Sequence, residues 1–109
     1  MAIDVGQLVT DMKNAATQVV SKDISKFEGF SEMQMKAIAQ QAAFVEAGIL
    51  TGDITSETKE FFLDSLKDMA RNFVNVLVGM VNVEVEKVWN AIVDAIWKAL
   101  ATAIGTLLK

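Results

Sequence analysis

The side chains that could do chemistry here are carboxylates, lysines and hydroxyls, because the 109-residue sequence contains no cysteine and no histidine. Carboxylates come close together at Asp64 and Asp68, and again at Glu84, Glu86 and Asp94. A di-iron bundle builds its site from Glu-x-x-His pairs, which a chain without histidine cannot supply. A calcium loop needs alternating acids around a glycine, and Asp53-Ile54-Thr55-Ser56-Glu57 is too sparse. At helical spacing the same acids meet bases instead: Asp64 with Lys67, Asp68 with Arg71, Glu84 with Lys87 and Asp94 with Lys98. Such solvent-side pairs contribute roughly a few tenths of a kcal/mol each.

Nucleophilic chemistry fares no better. Ser25 and Ser65 have no histidine to activate them, and a serine-lysine pair at either would lie on a connector or a plain helix face with no oxyanion hole. Gly29, Gly48 and Gly52 are isolated rather than clustered before a lysine, so no loop is ready to cradle a phosphate. The sequence therefore assigns no catalytic, metal or cofactor residue, and neither an enzyme nor a small-molecule substrate is expected.

The 14 acids against 10 bases leave a net charge of -4, and the bases are scattered from Lys13 to Lys109 without forming a patch. Nucleic acid, which selects a basic footprint, is not an expected partner. The apolar share of 52% lies above that of an ordinary soluble domain, so part of the apolar surface is expected to need a partner. Met1-Ala2-Ile3-Asp4 carries an acid where a secretory leader carries bases, and no apolar core follows, so no such leader is expected. The longest charge-free runs, Asn72 to Val83 and Ala99 to Leu108, hold 12 and 10 residues. Both fall short of the ~18 that a spanning helix requires. The expected location is the cytoplasm or a larger particle, with a membrane surface as the alternative.

One all-α domain over residues 1–109 is expected. Asp4 with Gln7 forms a capping-box pattern that opens helix one, about 4–22, whose apolar Leu8, Val9, Met12, Ala16, Val19 and Val20 recur at three and four. Residues 23–30 lose that period and read as a connector whose Ile24, Phe27 and Phe30 tuck inward. Ser31 with Gln34 opens helix two, about 31–51, and Gly52 caps its end. Thr55 or Ser56 then caps a long, strongly apolar helix, about 56–108.

Within that last span, Val74, Val76, Val78 and then Val81, Val83, Val85 alternate like two strands about Gly79-Met80. A hairpin over 73–88 is the rival reading. Polar residues nevertheless continue at helical spacing through Asp68, Arg71, Asn75, Asn82, Glu86 and Asn90, which favours one helix, bent near Gly79 or packed against different neighbours in its two halves. Phe62, Leu66, Met69, Phe73, Val76, Met80 and Val83 keep a strict four-three spacing, the seam of a coiled coil; from Val85 the seam resumes on a shifted register.

A third helix of ~80 Å at 1.5 Å per residue is longer than two helices of ~20 residues can cover. The expected function is therefore a structural or assembly protein, a homo-oligomeric bundle of the kind that builds virion parts, filaments or scaffolds, joined through the C-terminal helix. Its expected interface comprises Phe73, Met80, Val85, Trp89 and Ile92, followed by Ile96, Trp97, Ala99, Leu100 and Ala103. Trp89 and Trp97, two turns apart, would equally serve a membrane-active helix at a lipid headgroup layer. An adaptor that takes a partner helix in a groove is the third reading.

Overall fold

Asp4 does what its sequence position implies: its carboxylate accepts the Gln7 N–H at 3.0 Å, and α1 runs Val5–Val20. The computed structural model of the chain describes residues 3–104, with the backbone alone at 103 and 104. A short 3-10 turn, Ile24–Lys26, lies in the connector. Ser31 then caps α2, Glu32–Thr51, accepting the Gln34 N–H at 3.1 Å, and Gly52 ends it in the left-handed region. Two further helices follow, α3 at Lys59–Asn75 and α4 at Asn82–Ile104. All the described secondary structure is helical, so the hairpin reading of 73–88 is not what the chain adopts.

The start of α3 differs from the expected Thr55 or Ser56 by a turn. The Thr55 carbonyl already accepts the Lys59 N–H at 2.8 Å, and the Thr58 hydroxyl accepts the Thr55 N–H at 3.0 Å, so residues 55–58 lead into the helix as a hydrogen-bonded turn.

The larger correction is at residues 76–81, where the expected long helix is two helices joined by a turn. Asn72 to Val83 contains five valines, three asparagines and a glycine; against alanine these forfeit roughly 5 kcal/mol of helix propensity. Folding α4 back buries Val88, Ile92, Val93, Ile96 and Leu100, which at about 2 kcal/mol each outweighs any gain from a straight helix. Gly79 takes φ +100° in the turn, and Leu77 points into the core. Glu84 supports the new N-terminus by accepting the Val81 N–H at 3.2 Å, in the first turn where an acid also suits the helix dipole. The polar stripe that looked continuous spans the turn only because its gap, Asn75 to Asn82, equals two helical turns.

The helices alternate in direction. Lys13 meets Glu32 and the Ile3 N–H meets Glu46, which sets α1 against α2 head to tail; Arg71 meets Glu86 and Trp89 meets Lys67, which does the same for α3 and α4. Each helix packs on the next, α4 returns along the length of α1, and α2 touches α4 across the bundle. The result is a rod of 42 × 23 × 22 Å. Its core is one cluster fed by every helix, with Met12 and Ala16, Ile38 and Val45, Leu66 and Phe73, and Ile92 and Ile96 all fully buried.

The connector and the α3–α4 turn seal one end. Ile24 and Phe27 are buried as expected, and Phe30 meets Phe73 edge to face at 5.7 Å. The Val78 N–H donates to the Glu28 carbonyl at 2.8 Å. Gly29, at φ +92°, lies so close beneath that turn that a methyl group there would collide with the Val76 carbonyl oxygen. Only glycine meets both demands.

Candidate interaction surfaces

The residues expected to join subunits are mostly occupied within one copy of the chain. Phe73, Ile92, Ile96 and Leu100 are fully buried in its own core. Met80, Val85, Trp89, Trp97 and Ala99 are half-buried and packed against that core. The side chain of Ala103 lies outside the described residues. The physical reason is the turn at 76–81: once α4 doubles back, α1 and α3 cover the face that a straight helix would have offered to other subunits.

Trp89 shows how firmly α4 is held. Its indole N–H donates to the Lys67 carbonyl at 3.0 Å, and the Arg71 guanidinium lies over the ring, 4.2 Å from its centroid. Arg71 also grips Glu86 through two contacts, of 2.6 and 3.3 Å. That hydrogen bonding raises the Arg71 pKa and holds the Glu86 carboxyl below the usual glutamate range. Of the ion pairs expected from spacing, Asp64 with Lys67 is seen at 3.9 Å, whereas Arg71 turns from Asp68 to the neighbouring helix and Glu84 to the Val81 N–H.

Two surfaces were not singled out by sequence. The first is the outer face of α2, where Met33, Ala37, Gln40, Phe44, Ala47 and Thr51 follow a four-three spacing and are all exposed. Met33 exposes 83% of its surface and Phe44 60%, with Leu50 at the edge of the strip at 57%. The signal was present: α2 has apolar residues around its whole circumference, and a helix of that kind has apolar surface left over after its inner face is buried.

The second is an open groove of about 790 Å³ between α1 and α4. Asp4, Gln7, Asp11, Asn14 and Gln18 line it from α1, and Asp94, Lys98 and Thr102 from α4, above a floor that includes Ala15, Ala91, Ala95 and Ala99. Near its Ile3 end, Glu46 is buried on α2; one oxygen accepts the Ile3 N–H, and the other has no hydrogen-bond partner among the described residues. No group of three or more acids converges to hold a metal among the described residues, and no described helix is long and apolar enough to cross a membrane.

Comparison with protein-family models, with curated proteins and with solved structures finds no match for this chain.

Proposed function

We propose that this chain is a non-enzymatic structural or assembly protein that self-associates, and that copies meet through the outer face of α2. The observation that carries this reading is the uncharged strip from Ala37 to Thr51 on that face, with Met33 before it and Leu50 beside it. Exposed apolar patches of this size on small proteins are commonly contact sites. Two such strips would bury about 1,000 Å² in total, the lower edge of specific interfaces, where weak and concentration-dependent contacts fall. The strip suits a second copy because it carries no charge from Ala37 to Thr51, so two of them meet without like-charge repulsion, with Lys36 at its edge.

Sedimentation from 1 to about 200 μM tests this, across the affinity range such an interface implies. The expected result is a mass that rises with concentration and returns to the monomer value in Phe44→Lys. A monomer throughout, or an assembly that Phe44→Lys leaves intact, overturns the proposal.

A second reading, contact with a bilayer, moves from the C-terminal helix to the α3–α4 turn. Val76, Val78, Val81 and Val83 are all exposed there, within the charge-free run that begins at Asn72. Flotation with zwitterionic vesicles is expected to carry the wild-type chain but not Val78→Glu, and no flotation of the wild type removes this reading.

A further inference from the structure

The α1–α4 groove is separate from the α2 face and has a different chemistry. We propose that it docks one basic amphipathic helix belonging to a different protein. Its lining residues run from Ile3, just ahead of α1, to Val19 near the end of that helix, a span of roughly 24 Å that matches a helix of four to five turns. The groove floor is rich in alanine, and helices whose contact residues are small approach most closely. A helix lying there would meet α1 on one side and α4 on the other, completing a three-helix contact.

Charge identifies the occupant. Asp4, Asp11 and Asp94 line the groove against a single ammonium, Lys98, and none of the four makes a salt bridge among the described residues. Asp4 accepts the Gln7 N–H and Asp11 accepts the Gln7 side-chain amide, so the partner of each is a neutral group and not a cation. Asp4 caps α1, Asp11 stands on it and Asp94 stands on α4, so a helix between the walls would place lysine or arginine along both of its edges and small apolar residues beneath. A second copy of this chain fits poorly, because its ten bases are scattered and its net charge is -4. Acidic lining also favours fast association with a basic partner, with a rate that falls as salt rises.

The test uses the full chain and a synthetic helical peptide of about 17 residues, the length the groove accommodates. The peptide carries alanine on one face and lysine on the other, and a companion has glutamate at every lysine position. Fluorescence anisotropy is expected to show saturable binding of the lysine peptide, weakened about tenfold between 50 and 300 mM salt. The glutamate peptide is expected to bind at least ten times more weakly. The double variant Asp11→Lys with Asp94→Lys changes only exposed side chains, so it is expected to fold; it should lose the lysine peptide by tenfold or more and gain the glutamate peptide. Asp64→Lys with Asp68→Lys makes the same charge change away from the groove and should leave binding within about twofold once salt screens distant charges.

No binding of the lysine peptide, or an equal loss in both double variants, overturns the proposal, the latter because it would mean general attraction to an acidic protein. If Asp11→Lys with Asp94→Lys instead changes the mass of the chain alone in sedimentation, the groove is covered by a second copy and the separate partner is ruled out. If Phe44→Lys abolishes self-association and the lysine peptide still binds, the two surfaces act independently, as proposed.

Discussion

α2 and α4 are built from almost the same proportion of apolar residues, 12 of 20 in α2 and 15 of 23 in α4. Yet among its described side chains α4 leaves one large apolar residue exposed, Val83 at its first turn, whereas α2 exposes Met33, Phe44 and Leu50. α4 lies in the seam between α1 and α3 and also touches α2, so its wide apolar face is used within the chain. α2 has the same neighbours in mirror order, but its large residues are distributed over both faces. Apolar content therefore says how much surface must be buried. Where the large side chains point says whether the chain itself can bury it.

The sharpest way to break this comparison is to charge the covered helix. Ile96 is fully buried at the centre of α4, and an aspartate there would be a buried carboxylate without a partner. The cost is expected to reach or exceed the ~5 kcal/mol that is the lower end of total stability for a small domain. Ile96→Asp should therefore unfold the single chain, lose helical circular dichroism and show no cooperative melt. A folded Ile96→Asp that has merely lost self-association would restore α4 as the contact between copies.

Gly29→Ala attacks the end of the rod where α4 turns back. The variant must accept φ +92° and also push the Val76 carbonyl away, which breaks the seating of the turn beneath the Val78 to Glu28 hydrogen bond. A destabilisation of about 2 kcal/mol or more is expected, read as a fall in the urea midpoint at unchanged slope. Wild-type stability in this variant would mean that the two loops do not hold each other.

Trp89→Phe is milder. It keeps most of the ring but removes the indole donor to the Lys67 carbonyl and weakens the Arg71 stack, so a loss of about 1 kcal/mol is expected. Glu86→Gln tests the same seam through pH. Because hydrogen bonding to Arg71 lowers the Glu86 pKa in the folded chain, unfolding at acid pH takes up a proton. The stabilisation is complete above the ordinary glutamate range and is lost as pH falls through the folded value. Urea midpoints of wild type and Glu86→Gln should therefore differ at pH 7 and converge on acidification. A gap that persists at pH 2.5, about two units below the unperturbed carboxylate range, would show that the charge pair is not its source.

Much of the local structure was legible in the sequence, and the reasons are local. Asp4, Ser31 and Gly52 mark helix ends by chemistry that acts within four residues, and Ile24, Phe27 and Phe30 are apolar residues in a polar connector with nowhere to go but inward. What failed was the joint at 76–81. Its alternating valines were a true sign of weak helix, read against a polar stripe whose phase survived the turn by coincidence of length. The consequence spread to the interface: with a straight helix, Ile92, Ile96 and Leu100 required other subunits, and with a turn they did not. That α2 keeps apolar surface was legible in its all-round apolar pattern, but which residues lie outside was not, because Met33, Phe44 and Leu50 are indistinguishable by type from core residues and only their position on the packed helix separates them.

The smallest expected effect on stability is also the most informative contrast. Phe44→Lys changes a large aromatic residue to a charge, as drastic a change of type as Ile96→Asp, yet Phe44 is 60% exposed and its ring has no aromatic partner among the described residues. A lysine there can carry its ammonium into water while its methylenes lie on the helix surface, so the monomer should keep its stability within about 0.5 kcal/mol. Thermal melts at low micromolar concentration, where the monomer is expected to dominate, would show this as an unchanged midpoint. At high concentration the wild-type midpoint should rise because association stabilises the folded state, and the Phe44→Lys midpoint should not. If instead the variant melts several degrees lower at every concentration, Phe44 supports the fold of the single chain, and α2 is covered in the same sense as α4.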